Sequence, residues 1–342
     1  MCSSALPGAA IPLIAAPMAG GPSTAALVIA TGRAGGLGFL AAGYTSPAAL
    51  AAEIDTVRGA GIPFGVNLFA PNPVPVDPQH YRRYAALMQR EADRFGLALP
   101  AEPVSDDDDF AAKIDALIAD PVPAVSFTFG LPAAGVIDGL RRAGTTVIQT
   151  VTSVAEARAS AERGVDCLVA QAHTAGGHSA TFTPQRMPDP LPIIELVAAV
   201  RAAVSLPVIA AGGLSTAAEV ADVLRAGAIA AQVGTALLLA EEAGTSAIHQ
   251  TALRDPARRD TVLTHAFTGR PARALGNRFT DDYAAAAPLG YPALHFLTGP
   301  LRRAAAAAGD AELVHLWAGS GHRQARPGPA AQILAGLTRE AR

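Results

Sequence analysis

A titratable base beside flexible backbone is the most chemically suggestive arrangement in this chain, and it falls between Cys167 and Phe182. The run Cys167-Leu-Val-Ala-Gln is apolar enough for a buried strand and ends on a carboxamide, Gln171. Beyond it come His173, the pair Gly176-Gly177 and, directly after them, His178. Adjacent glycines let backbone approach a ligand where a Cβ would clash, and their N–H groups suit an anion. An imidazole next to such a surface can take up or release a proton near neutral pH. Strand end, anion-friendly backbone and base together read as an active site with His178 as its catalytic group. The competing reading is a mobile surface loop with an incidental histidine. His173 is assigned a structural role rather than that of a second catalytic imidazole.

Such a site needs rigid elements that gather distant residues. Short apolar runs recur along the chain at Ile11–Met18, Leu37–Ala41, Phe64–Phe69, Ala124–Gly130, Thr146–Val151, Cys167–Gln171, Pro207–Gly213 and Ile229–Thr235. Helix-forming segments separate them, opened by Pro22-Ser23, Ser46-Pro47, Ser153 and Ser215, with Ala236–Glu242 as the last of the series. Eight strands spaced roughly 20 to 35 residues apart specify a parallel sheet with helical crossovers, and eight strands close a (β/α)₈ TIM barrel. An open doubly wound sheet would carry a glycine-rich dinucleotide turn after strand one and an acid after strand two; neither appears.

Residues 71–120 interrupt the rhythm as an excursion on the barrel rim. It holds a proline-rich stretch, an amphipathic helix Gln79–Phe95 and an acid run Asp106–Asp109, which reads as a solvated helix cap. Residues 1–242 are thus the barrel with its excursion. Residues 243–304 form a smaller substrate-side or lid segment, and residues 305–342 form C-terminal helices packing back on the barrel. This tail is too small and polar for an independent core.

Strand ends of a barrel share one mouth. The residues expected there are Met18, Asn67, Thr128, Gln149 or Thr150, and Gln171 with Gly176, Gly177 and His178. From the last two strands come Gly212, Gly213, Gln232, Val233, Gly234 and Thr235. Glycines after strands seven and eight make a phosphate site from bare amides, without a lysine. Asn67 and Gln171, set in apolar strands, can pair with a flat heteroaromatic ring. A ring plus one terminal phosphate suggests FMN as the cofactor.

Composition narrows the rest. Charged residues are 16% of the chain, hydrophobic ones 50%, and the net charge is −3, so neither nucleic acid nor an anionic membrane is an expected partner. Lys113 is the sole lysine, which argues against Schiff-base chemistry. The two cysteines, Cys2 and Cys167, suit a reducing cytoplasm, and no apolar run reaches membrane-spanning length. No His/Cys/Asp/Glu cluster has metal-ligand spacing, so no metal is expected. His80 and His249 read as exposed helix residues, and His315 and His322 as bystanders near the C-terminus. His265 and His295 are not assigned to the mouth; Tyr44 and Tyr291 are candidate pocket walls.

Several ordered motifs carry a family resemblance. Ala16-Pro-Met-Ala-Gly-Gly-Pro-Ser, Phe64-Gly-Val-Asn-Leu-Phe, Ser126-Phe-Thr-Phe-Gly-Leu-Pro, Gln171 with Ala175-Gly-Gly-His178, Pro207-Val-Ile-Ala-Ala-Gly-Gly and Gln232-Val-Gly-Thr-Ala resemble those of the nitronate monooxygenases, most of all their class I branch. Phe267-Thr-Gly-Arg-Pro-Ala-Arg and Leu316-Trp-Ala-Gly extend the likeness into the tail. The resemblance implies an FMN-containing barrel that oxidises alkyl nitronates, such as propionate 3-nitronate, with O2 to a carbonyl compound and nitrite. It also implies FMN contacts at Asn67, Gln171, Gly176, Gly213, Gln232, Gly234 and Thr235, with His178 facing the substrate, in a monomer or homodimer. Two departures, Ala172-His173-Thr174 and Ser179-Ala180, are expected to line the pocket and to bear on substrate identity. The alternatives are a related barrel that uses NAD(P)H to reduce quinones or enoyl thioesters, and a non-catalytic FMN-binding protein.

Overall fold

Eight parallel strands close on themselves in the computed structural model, which describes residues 6–339. Cys2 and the expected end of the last helix at Glu340 lie outside the described residues. The barrel consists of β1 (Leu13–Ala15), β2 (Leu37–Ala41), β3 (Phe64–Phe69), β4 (Ala124–Thr128), β5 (Thr146–Val151), β6 (Cys167–Gln171), β8 (Val208–Ala211) and β9 (Ala230–Val233). Strand β9 pairs with β1, Ile14 opposite Gln232, and shuts the ring. A three-stranded sheet stands outside it: β10 (Thr261–Thr264), β11 (Ala272–Leu275) and the two-residue β7 (Gly177–His178). The expected (β/α)₈ architecture is therefore the observed one, with β7 added by the loop that follows β6.

The strands are buried on both faces, which is why they read as near-continuous apolar runs. Ile14, Phe39, Ile148, Val169 and Ile209 fill the lumen, a cluster that includes no helix residue. Leu27, Leu50, Leu140, Val197 and Val220 pack the helices on the outside of the wall. Hydroxyl caps start helices where the sequence signals place them at Ser46 and Ser153, each of which accepts a backbone N–H. The helix expected from Ser215 starts at Ala217 instead, with Thr216 as its cap in a capping box with Glu219. The first helix differs. It runs Ala25–Arg33 with Thr24 as its cap, because the Ser23 hydroxyl instead accepts the Met18 N–H at 2.8 Å and ties the β1 loop together. The expected helix Ala236–Glu242 is only a 3-10 turn, Thr235–Leu237, since the chain then leaves to bridge Ala240 with Gly328.

The excursion and the tail build a second core between them. Tyr81, Tyr84 and Met88 of the helix Pro78–Asp93 pack with Phe267, Phe279, Leu294, Leu297 and Leu301. The tail thus acquires a core only jointly with a segment some 200 residues earlier. A charge cluster reinforces the joint: Arg278 donates two bonds to Glu91, at 2.6 and 3.0 Å, and Tyr283 and Arg94 donate one each. The last helix, Ala330–Leu337, packs back on the barrel wall.

The acid run is not simply a solvated cap. Asp108 accepts the Tyr44 N–H at 2.8 Å and pairs at 2.9 Å with buried Lys113, whose Nζ also donates to the Ala42 carbonyl. Asp109, at the cap position itself, makes no side-chain capping bond. A buried ammonium requires a partner, and Asp108 is drawn in to supply it.

Candidate active site

The C-terminal ends of the barrel strands open into a cavity of about 600 Å³, a size suited to a cofactor with a small substrate. Met18, Asn67, Gln171, Gly176, Gly177 and His178 line it, as do Gly212, Gly213, Gln232, Gly234 and Thr235. Val233 does not: its side chain is sealed in the wall, and its carbonyl accepts the Ala16 N–H. Thr128 and Thr150 reach the cavity. Gln149 instead turns its Nε2 to the carbonyls of Phe127, Gly130 and Thr150.

One end of the cavity is bare backbone. Gly212 and Gly213 have φ of +105° and +76°, where side chains are strained, and a Cβ on Gly213 would press the Thr174 hydroxyl at 2.9 Å. The N–H groups of Gly213, Gly234 and Thr235 have no acceptor among the described residues. The tail closes this end: Gly319 N–H donates to Thr235 Oγ1 at 2.9 Å and Ser320 N–H to the Thr174 carbonyl at 3.1 Å. The backbones fit so closely that a Cβ on Gly319 would lie 2.7 Å from the Thr174 oxygen. Unpartnered amides in a cradle without Cβ atoms, set after β8 and β9, fit a phosphate group.

His178 sits where two chains of support meet. Its backbone is in β7, paired with Ala272 of β11. The Gln171 carboxamide holds the same loop, donating to the His178 carbonyl at 3.3 Å and accepting the Ala180 N–H at 2.8 Å. Gln171 therefore shapes the loop as well as lining the cavity. His178 Nε2 is 2.9 Å from Thr268 Oγ1, and Phe129, Tyr291 and Trp317 surround the ring. Burial, aided by the positive charges of Arg270 and Arg302, pushes the imidazole down to about 3, so it is neutral at physiological pH. Arg270, with none of its surface exposed, is a brace: it donates to the carbonyls of Asn72, Phe129, Ser179 and Thr181 and lies 4.1 Å from the Phe129 ring centre.

The other positive group has no such coverage. Arg302 lines the cavity, 5% exposed, and has no carboxylate partner among the described residues. It donates to Thr298 Oγ1, the His295 carbonyl, His315 Nδ1 at 3.1 Å and, at 3.4 Å, His295 Nδ1. A guanidinium only donates, so both imidazoles accept at Nδ1 and, being neutral, carry their protons on Nε2. Burial, with Arg302 next, pushes His295 down to about 2 and His315 well below its ordinary value. Tyr44 stacks on His295 with ring centres 4.2 Å apart and shares a 3.2 Å hydroxyl contact with Tyr291. Among the described residues lining the cavity there is no Asp or Glu; Arg302 and Arg303 are its only ionised side chains.

Several sequence expectations are corrected here. His249 is 8% exposed and lines the cavity, because its helix Ala247–Arg254 is covered by the tail; His295 and His315 line it too. His173, by contrast, does not line the cavity; its carbonyl accepts Arg273 Nε at 2.8 Å. Ala172-His173-Thr174 and Ser179-Ala180 do not line the cavity, since the loop turns Gly176 and His178 inward. Ala172 bonds to Ala211 of β8 and Ala180 to Gln171, His173 and Ser179 meet the β11 segment, and Thr174 meets the tail at Ser320. Arg302, Thr268, Trp317, Gly319 and Gly321 were not foreseen. For Arg302 a signal existed: His295, Gly299, Arg302 and Ala306 recur at helical spacing on one face.

Comparison with known proteins agrees with this geometry. The family model described as nitronate monooxygenase matches residues 5–340. A probable nitronate monooxygenase of Staphylococcus aureus (strain Newman) is 36% identical over 331 residues, 95% of this chain and 93% of that protein. The crystal structure of a nitroalkane oxidase from Streptomyces ansochromogenes superposes with a TM-score of 0.93 at 45% identity, covering 97% of this chain and 96% of that one. FabK from Thermotoga maritima is similar at a TM-score of 0.74 and 26% identity, over 96% and 92% of the two chains. With a family match that runs almost end to end, on a barrel whose strand ends hold the motif residues in one cavity, the chain belongs to the nitronate monooxygenase family and is an oxidoreductase.

Proposed function

We propose that this protein binds FMN and oxidises alkyl nitronates with O2 to a carbonyl compound and nitrite. The observation that carries the reading is the acid-free cavity in which a buried, carboxylate-free Arg302 and a neutral His178 stand together. A nitronate is an electron-rich anion. It needs positive potential and an oxidant rather than a strong base, and an uncompensated buried guanidinium supplies that potential in a low-dielectric site.

FMN is supported by the donor set. Gly213, Gly234 and Thr235 would hold its phosphate through N–H groups that the fold leaves unpartnered, closed over by Gly319. Asn67 would meet the ring; its Nδ2 is fixed by Ser126 and Thr128, and its Oδ1, which has only a long 3.5 Å contact from the Thr128 hydroxyl, keeps a lone pair for a donor. Bound FMN supplies the oxidant that accepts electrons from the substrate and passes them to O2. The protein's own residues bind and orient. Arg302 attracts the anion, Phe129, Tyr291 and Trp317 exclude water around His178, and His178 is uncharged, so the positive potential comes from the guanidinium.

The test is anaerobic titration of the purified yellow protein with propionate 3-nitronate, then admission of air and assay of nitrite. Loss of flavin absorbance followed by nitrite on reoxidation is the expected result. Protein purified without flavin would overturn the reading entirely. Flavin bleached by NADH or NADPH but inert to nitronate would replace it with an NAD(P)H-dependent reductase.

A further inference from the structure

We infer that Thr268 is a positioning residue: it fixes which nitrogen of the His178 ring carries the proton, and so equips that ring to take the α-proton of a neutral nitroalkane. The inference rests on the functional reading above and extends it to the protonated form of the substrate. Thr268 is 1% exposed, and its Oγ1 lies 2.9 Å from His178 Nε2 and 3.4 Å from the Arg270 carbonyl. A carbonyl can only accept, so a hydroxyl proton aimed at Arg270 leaves the hydroxyl oxygen to accept from Nε2–H. This arrangement makes two hydrogen bonds. The opposite tautomer spends the hydroxyl proton on Nε2 and leaves the buried Arg270 carbonyl without it, a loss that buried acceptors seldom bear. Nε2 is thus the protonated nitrogen. Nδ1 keeps its lone pair, and the Thr268 contact at Nε2 is the ring's one hydrogen bond among the described residues, in a side chain that lines the cavity.

The segment that presents Thr268 is rigid and is the same one that holds the His178 backbone. Gly269, at φ +76°, packs on Gly290 so tightly that a Cβ would lie 2.6 Å from its backbone. Gly269 N–H donates to the His265 carbonyl at 2.7 Å and its own carbonyl accepts the Gly290 N–H at 3.0 Å. Four residues on, Ala272 pairs with His178 in the sheet, and Ser179 N–H donates to the Pro271 carbonyl at 2.8 Å. Ring and backbone of His178 are therefore referenced to one loop, the geometry a general base requires. The negative charge that develops on the nitro group beside the ring opposes the lowering by burial, Arg270 and Arg302, so the imidazole gains affinity for the proton in that step.

In the step this permits, the α-C–H bond of the nitroalkane breaks and its electron pair moves into the nitro group. The proton goes to Nδ1, giving imidazolium and a bound nitronate. A nitronate supplied as such already lacks that proton and does not call on Nδ1. Thr268 must therefore discriminate between the two forms of one substrate.

The experiment compares flavin-loaded wild-type protein with Thr268→Val, which keeps shape and loses the hydroxyl, and Thr268→Ser, which keeps the hydroxyl. Each is mixed anaerobically with nitroethane or with ethyl nitronate across the neutral pH range, and the rate of flavin bleaching is read. Thr268→Val should lose about tenfold more with nitroethane than with ethyl nitronate, the equilibrium worth of one ordinary hydrogen bond, with the ratio of the two rates as the readout. Thr268→Ser should restore the nitroethane rate. Nitrogen-15 spectra of histidine-labelled protein should show unprotonated Nδ1 at His178 in wild type and a mixture in Thr268→Val. Equal losses on both substrates, no loss on nitroethane, or a protonated Nδ1 in wild type would overturn the inference while leaving the functional reading in place. Wild-type protein inert to ethyl nitronate would overturn both.

Discussion

Replacing Arg302 with Met should damage function without damaging the fold, and the two effects can be sized separately. Arg302 is a buried cation whose hydrogen bonds go only to neutral acceptors: Thr298, His295 and His315. Replacing a buried ion pair by apolar side chains is often neutral or stabilising by about 1–4 kcal/mol, because the desolvation cost disappears, and Arg302, with no carboxylate to leave behind, should follow the same rule. Thr298 retains its bond to the Phe267 carbonyl, and the imidazoles, free of Arg302, can exchange tautomers. For a chain of 342 residues each kcal/mol corresponds to about 1.4 °C in Tm. Arg302→Met should therefore unfold at the wild-type temperature or a few degrees above it. A nitronate loses a charge-assisted contact worth about 1.5–3 kcal/mol, so KM should rise about ten- to 150-fold. The assay is steady-state O2 uptake with an alkyl nitronate beside a thermal melt of the same preparation. A Tm several degrees lower with KM unchanged would refute the reasoning and make Arg302 a structural brace.

Three further outcomes follow from the same geometry. Gly319→Ala should lower the flavin-to-protein absorbance ratio of the purified protein, because the new Cβ has only 2.7 Å to the Thr174 oxygen; full flavin retention would remove the tail from the cofactor cradle. Stability should fall with acid. Burial holds His178 at about 3, His249 at about 4 and His295 at about 2, all below the unfolded value near 6.5, so the unfolded chain binds more protons between those limits. Stability is complete above about pH 6.5, and going from pH 7.5 to 5.5 should remove about 1 kcal/mol for each of these histidines, read from urea midpoints; a flat profile would contradict their burial. Glu91→Gln should cost about 2 kcal/mol by weakening the bonds from Arg278, Tyr283 and Arg94. Arg278 foremost holds the Glu91 carboxyl down to about 2, so its contribution exists above pH 4.5 and disappears as pH falls toward 2. Equal stability of Glu91→Gln and wild type at neutral pH would show that the joint between excursion and tail does not depend on this charge.

The barrel was legible because its signals are local. Apolar runs such as Cys167–Gln171 and Val208–Ala211 are strands whatever surrounds them, and caps such as Ser46 and Ser153 are read from one or two residues. The glycines after β8 and β9 are equally local signals, and Gly212, Gly213 and Gly234 line the cavity. What stayed hidden depends on partners far away in sequence. Ser23 and Thr24 are equivalent as caps until Met18 claims one of them. Asp108 looks like a cap acid until Lys113 must be buried beside Tyr44. His249 and His315 look peripheral because only the docked tail carries them inward, and the departures around His173 look pocket-lining until β7 pairs with β11 and turns them outward. Arg302 was the avoidable omission, since one helical face already joined it to His295.

The core shared by the helix Pro78–Asp93 and the tail has a consequence for how the protein is made. Tyr81, Tyr84 and Met88 leave the ribosome about 200 residues before Leu294, Leu297 and Leu301, which at ordinary synthesis rates is about 10–40 s. Only late in that interval is the last barrel strand, β9 (Ala230–Val233), made; from then on the barrel strands can pair while an aromatic helix face still waits without its partner. The cradle is unfinished for longer still, because Gly319 and Ser320 come later than the core they follow. Newly made chains therefore pass through a stage that has its barrel strands, an uncovered aromatic helix face and a cavity not yet closed by Gly319 and Ser320. Slow translation or early termination ahead of residue 319 yields protein of that kind, so the supply of active enzyme is set by the arrival of the last strand of chain rather than by closure of the barrel.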